Sequence, residues 1–157
     1  MAEVKASGKK RLKPTRQAKS DQNPTSLFAV RLSHLEALER LGDVNEDAEF
    51  SYAYHVELIE GPAYQDGVYI FNADILVGRL LDGEAQTEIS ASYYFLVKSD
   101  ELPEDQIKLL GENYFSGYVW SRFEAQFNVL VSQLNGQFPR LPQSLDTIAW
   151  VDPEESA

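Results

Sequence analysis

The chain has 157 residues, 43% of them hydrophobic and 25% charged, with a formal net charge of −11 and no cysteine. That length and apolar content suit one domain with its own core. Without cysteine there is no disulfide framework, thiolate metal site or thiol nucleophile, and the composition fits a reducing cytoplasm. No apolar run approaches the roughly 18 residues that cross a bilayer. The basic N-terminus lacks the apolar stretch of a secretory signal.

Charge is divided unevenly along the chain. Residues 1–21 carry Lys5, Lys9, Lys10, Arg11, Lys13, Arg16 and Lys19 against Glu3 and Asp21, while everything after them is strongly acidic. Residues 1–25 contain almost no large apolar side chain, so they are expected to form a disordered basic tail. The cluster Lys9-Lys10-Arg11-Leu12-Lys13 suits RNA or an acidic protein patch, although a solubilising tail is the commoner role of such runs. The acidic body is expected to repel nucleic acid and anionic membrane and to favour cationic partners.

From Leu27 to Leu41 two periods compete. Phe28, Val30 and Leu32 alternate as in a strand, whereas Leu32, Leu35, Leu38 and Leu41 recur at near-helical spacing among good helix formers. Three strands follow. Phe50–Ile59 alternates through Tyr52, Tyr54, Val56 and Leu58, and Val68–Leu81 carries Val68, Ile70, Ile75 and Val77. Thr87–Val97 carries Ile89, Ala91, Tyr93 and Phe95. Asp66-Gly67 and Asp82-Gly83 mark tight turns, which makes these strands an antiparallel meander.

After Lys98 the period changes. Leu102-Pro103-Glu104-Asp105 opens a short helical turn through Ile107, Leu109 and Leu110 that Gly111 is expected to end. An aromatic helix then runs from about Tyr114 to Leu134, with Trp120, Phe123, Phe127, Leu130, Val131 and Leu134 on one stripe. Asn135-Gly136 stops it, and a last helical turn is expected within Ser144–Val151. The result is an α+β domain over residues 26–151, with a short C-terminal tail at 152–157.

Catalytic constellations are lacking. His34 and His55 lie apart, with no nucleophile or metal-like spacing beside them. Asp43, Glu46, Asp47 and Glu49 lack the central glycine and closing glutamate of a calcium loop and read as a solvated turn. No phosphate loop, G-x-S-x-G or H-E-x-x-H occurs. The chain is therefore read as a non-enzyme without cofactor or metal. The long aromatic stripe reads as core plus an interface for self-association.

The meander at 50–97, the acidic crossover Glu101-Leu102-Pro103-Glu104, Trp120-Ser121-Arg122 and Gly136-Gln137-Phe138-Pro139-Arg140-Leu141-Pro142 together resemble the SecB family of export chaperones. The likeness covers about residues 27–151. It is that of a divergent member: Phe123 stands where the family has an acid, and Ser144-Leu145-Asp146-Thr147-Ile148 only faintly follows the family's ending. The resemblance implies a four-stranded antiparallel sheet whose first strand is Leu27–Leu41, then a crossover loop and a long C-terminal helix. It further implies assembly as a dimer of dimers.

It also implies an ATP-independent holdase in protein export, cytoplasmic and homotetrameric. The alternatives are a dedicated chaperone of one antitoxin in a toxin–antitoxin–chaperone module, or a non-chaperone protein-binding module. The expected client-binding residues are Leu102, Ile107, Leu110, Tyr114, Phe138, Leu141, Ile148 and Trp150. Those of the oligomer interface are Trp120, Phe123, Phe127, Leu130 and Leu134. Glu57, Asp74 and Glu88 are the expected acidic surface for a basic partner, which for the family is the translocase motor SecA.

Overall fold

A computed structural model describes residues 23–40, 47–135 and 137–155. Most of the basic tail, together with Asp43, Glu46 and Gly136, lies outside these residues. The strands are β1 (Ser26–Glu39), β2 (Phe50–Ile59), β3 (Ala63–Gln65), β4 (Val68–Leu81), β5 (Glu84–Lys98) and β6 (Ala149–Val151). The helices are α1 (Glu104–Tyr114) and α2 (Trp120–Val131), joined by a π-helical turn at Phe115–Val119. The described sheet has six strands in the order β1-β5-β4-β2-β6, with β3 paired to β4.

The expected meander is β2, β4 and β5. Asp66 and Gly67 have φ of 53° and 77°, and Asp82 and Gly83 have 51° and 80°. Two successive positive φ values make the tight turns whose twist matches a hairpin. Three features depart from the sequence reading. The sheet has six strands rather than four. Residues 149–151 form a strand rather than helix and run parallel to β2, with Glu57 opposite Ala149, so the sheet is mixed. Gly111 does not end a helix.

Strand and helix readings of Leu27–Leu41 are resolved by pairing: β1 lies antiparallel to β5, from Ser26 opposite Lys98 to Glu39 opposite Thr87. Tertiary pairing overrides the local helix propensity of Leu-Glu-Ala-Leu-Glu. The register shifts between Leu27 and Ala29 and between Leu32 and His34. The second bulge absorbs Ser33, whose Oγ donates to the Ser92 carbonyl at 3.0 Å. Leu32 and Leu35 thus keep to one face although three residues apart, which is the spacing that mimics a helix.

The helix continues through Gly111 because Leu102-Pro103 delivers it onto a sheet that needs a close approach there. A Cβ on Gly111 would lie 2.8 Å from Phe71 Cε1 and 3.0 Å from Trp150 Cη2. Glu104 and Asp105 occupy the first turn, where carboxylates complement the helix dipole. Gly111, Phe115, Val119, Phe123 and Phe127 are all buried at strict four-residue intervals. In a pure α-helix each such step overshoots a full turn by about 40°. The wider π turn takes back part of that drift and holds the stripe on the sheet.

The core lies between one sheet face and this stripe. Val56, Leu58, Phe71, Ile75, Ile89, Phe95 and Val97 face Phe115, Val119, Trp120, Phe123 and Phe127, all at most 1% exposed. Each side chain buried this way contributes about 1.5–3 kcal/mol. Phe71 stacks on Phe95 at 5.0 Å, and Trp120, Phe123 and Phe127 form a chain of ring contacts at 5.5 and 5.8 Å.

Candidate polypeptide-binding grooves

The sheet's core face is wider than one helix can cover, and apolar grooves remain beside the helix. The first lies between β2 and the segment that follows the helix. Tyr52, Tyr54, Phe127, Phe138, Leu141 and Pro142 are among its walls, and its volume is about 200 Å³. Segment 137–142 is pinned at both ends by aromatic polar tips. The Tyr52 hydroxyl donates to the Gln137 carbonyl at 3.0 Å, and Trp120 Nε1 donates to the Pro142 carbonyl at 2.8 Å. Between the pins, Phe138 sits edge-on to Phe127 at 5.5 Å and tilts against Tyr52 at 5.8 Å. The groove therefore presents aromatic faces on a fixed backbone.

A second groove, about 440 Å³, runs between the start of α1 and β6, with Pro62, Ile107 and Trp150 as apolar walls and Glu60, Glu104 and Asp152 at its rim. Trp150 Nε1 donates to Glu112 Oε1 at 2.7 Å, which orients the indole. Lys108 Nζ lies 2.8 Å from Glu60 Oε1 and 5.7 Å from the centre of the Trp150 ring. The hydrogen bond to Glu60 is the main reason the Lys108 ammonium keeps its proton above the ordinary lysine range.

The expected client-binding residues do not form one groove. Phe138 and Leu141 line the first, and Ile107 and Trp150 the second. Leu110 and Leu141 are 8% exposed and belong to the core. Leu102 and Ile148 are partly buried against it. The Leu102 N–H donates to the Tyr69 hydroxyl at 2.7 Å, which fixes the crossover on β4. Tyr114 lies at the β1 end of the helix, its hydroxyl 2.9 Å from Thr25 Oγ1 and its ring stacked on Tyr118 at 5.8 Å.

The residues expected at an oligomer interface are placed inside the protomer. Trp120, Phe123 and Phe127 are at most 1% exposed and hold the helix on its own sheet. Leu130 and Leu134 are partly buried against the same core. Periodicity found the stripe but could not tell which surface covers it. The exposed large apolar residues of the helical region are instead Leu109, Tyr118 and Val129. The groove residues Tyr52 and Tyr54 were legible only as strand residues, because nothing local marks the end of β2 that the helix leaves open.

Glu57, Asp74 and Glu88 all lie on the sheet face opposite the helix. Glu57 is opposite Asp74 in the ladder, and Asp74 accepts a 2.5 Å hydrogen bond from Ser92 Oγ. Glu88 is two rows away, opposite Gly78. Both histidines share this face beside carboxylates, His55 at 2.8 Å from Glu57 and His34 at 3.5 Å from Glu36. Among the described residues no cluster of three His, Cys, Asp or Glu stands together as a metal site. No helix among them is long and apolar enough to cross a membrane.

No family model matches the chain, and no curated protein matches it significantly. Among solved structures it is similar to the Mycobacterium tuberculosis SecB-like chaperone Rv1957, solved in complex with a ChAD peptide from the antitoxin HigA1. The TM-score is 0.56 at 11% sequence identity, covering 78% of this chain and 90% of that one. At that identity the likeness is one of fold: a SecB-like α+β arrangement of sheet, crossover and C-terminal helix.

Proposed function

We propose that this chain is an ATP-independent chaperone that holds non-native polypeptide in the apolar grooves beside its helix. The observation that carries the reading is the Phe138 groove, where aromatic rings stand open at the surface on a segment pinned by Tyr52 and Trp120. An extended client gains about 25 cal/mol for each Å² of apolar surface it buries there, partly offset by its ordering entropy. Among the described residues the outward edge of β2 is occupied by β6 only from Glu57 to Ile59. The rest of that edge offers backbone pairing to an extended chain.

A second reading is narrower: a dedicated chaperone for one antitoxin. The fold likeness to a SecB-like chaperone solved with an antitoxin peptide favours it. Assembly as a homotetramer, a cytoplasmic setting, a role in protein export and contact of Glu57, Asp74 and Glu88 with a basic partner such as SecA belong to the proposal. The test is suppression of aggregation by the full chain, measured by light scattering with several chemically denatured clients and with an antitoxin. Suppression of all clients at near-stoichiometric ratio supports the general holdase, and suppression of the antitoxin alone supports the dedicated one. No suppression of any client overturns both.

A further inference from the structure

A third cavity lies between β1 and the other flank of the helix. Val30 and Leu32 of β1, Tyr93 of β5, and Arg122, Ala125 and Gln126 of α2 line an open space of about 260 Å³. Tyr93 is 3% exposed, and its hydroxyl is buried without a hydrogen-bond partner. A buried hydroxyl in that state bears its desolvation cost uncompensated, and such groups are rare in folded proteins. Burial pushes the Tyr93 phenol above its ordinary pKa, and the nearby Arg122 guanidinium draws it part of the way back. Arg122 itself makes no ion pair with any described residue. A guanidinium with no ion-pair partner among the described residues, a phenol without a hydrogen-bond partner and an amide therefore line the same space beside apolar side chains in an otherwise acidic body.

We propose that this cavity is a subsite for one aspartate or glutamate side chain of a bound polypeptide, held by Arg122, Tyr93 and Gln126. The inference rests on the chain being a polypeptide-binding protein. All three groups donate hydrogen bonds, and the guanidinium fork matches the two oxygens of a carboxylate. A dianionic phosphate would bring a larger charge against the acidic surroundings. Val30 and Leu32 give apolar contact to residues flanking the acid, which suits an internal side chain better than a chain terminus. Arg122 and Gln126 are long and exposed, and the proposal requires them to rotate so that the carboxylate reaches the buried Tyr93 hydroxyl.

The experiment is fluorescence anisotropy on the full chain with a labelled Leu-Val-Glu-Val-Leu peptide blocked at both ends. Its comparisons are the Gln counterpart and a Leu-Val-Val-Leu peptide with a free C-terminal carboxylate. The blocked Glu peptide is expected to bind about tenfold tighter than the Gln peptide, as charge-assisted hydrogen bonds of ordinary strength require. Arg122→Gln is expected to erase that preference, Arg122→Lys to restore part of it, and Tyr93→Phe to reduce it about threefold. Equal binding of the Glu and Gln peptides, a preference that survives Arg122→Gln, or a gain confined to the free terminus would overturn the subsite. So would Arg122→Gln dissociating an oligomer while the wild-type protein shows no peptide preference, since the groups would then serve a second copy. Aggregation suppression by the wild-type chain is scored separately. A Glu preference without suppression keeps the subsite and removes the holdase, and suppression without a Glu preference does the reverse.

Discussion

Gly111→Ala places two physical effects in opposition, and the structure determines which one wins. In an exposed helix the substitution gains about 1 kcal/mol from propensity alone. Here the new methyl would lie 2.8 Å from Phe71 and 3.0 Å from Trp150. Neither ring can yield cheaply: Phe71 is fully buried and stacked on Phe95 at 5.0 Å, and Trp150 is tied to Glu112 by its 2.7 Å hydrogen bond. Overpacking of this kind costs about 1–3 kcal/mol, and with both neighbours held the cost belongs near the top of that range. The net expectation is a loss of about 1–2 kcal/mol, or roughly 2–8 °C in Tm for a chain of this size. Urea and thermal unfolding measure it, with Gly117→Ala as the control. Gly117 has nothing within 4 Å of its added Cβ, so that change is expected to be neutral or stabilising by up to about 1 kcal/mol. A Gly111→Ala protein as stable as wild type would refute the close approach of helix, sheet and β6.

Trp120→Phe removes the donor that pins Pro142. It is expected to cost about 2–3 kcal/mol, from the lost hydrogen bond and the cavity left by the smaller ring, and to speed tryptic cleavage at Arg140, with unchanged cleavage counting against the pin. Phe138→Asp is expected to leave the fold intact by circular dichroism while lowering affinity for an apolar client, because Phe138 lines a groove. Leu141→Asp is expected to unfold the protein or destabilise it by several kcal/mol, because its site is only 8% exposed. If the two variants behave alike, the division between groove and core is wrong. Tyr93 and Tyr64 have raised pKa values, Tyr93 chiefly through burial and the surface residue Tyr64 through partial desolvation together with neighbouring Tyr69, Glu101 and Asp100. Their protons are therefore retained in the folded state after the unfolded chain would have lost them. Any stability they contribute is present below the unfolded tyrosine pKa of about 10 and is lost as pH rises through the higher folded value. Ultraviolet titration of phenolate is expected to show Tyr93 ionising late in the folded protein, and Tyr93→Phe to remove that late step.

Much of the architecture was legible because it depends on local pattern. Alternation placed β2, β4 and β5, Asp82-Gly83 marked the β4–β5 hairpin, and Leu102-Pro103-Glu104-Asp105 marked the helix start, whereas Asp66-Gly67 closes the unexpected β3 onto β4. Where the reading failed, the cause was a long-range contact. Gly111 looks like a stop until Phe71 and Trp150 are brought against it. Ser144–Val151 looks helical until β2 offers a free edge to Ala149. The bulge at Ser33 gives β1 a helix-like spacing that only pairing with β5 resolves. Site reading had the same limit. Phe138, Ile107 and Trp150 were named as candidates only through the family resemblance, and the structure sets them on two separate grooves. Tyr52, Tyr54, Tyr93 and Arg122 acquire their roles only from what faces them across the helix.

By itself, the sequence determined the element types, the order from strands to helix, the acidic body and the aromatic stripe, because each follows from nearest-neighbour periodicity and composition. Only the tertiary structure decided that the stripe is the protomer's own core. A helix shows which of its faces is apolar, but not which surface will cover it. Sheet width decided the rest. One helix laid over the β1-to-β2 span of this sheet buries Trp120, Phe123 and Phe127 and leaves an apolar groove on the β2 side and an Arg122–Tyr93 cavity on the β1 side.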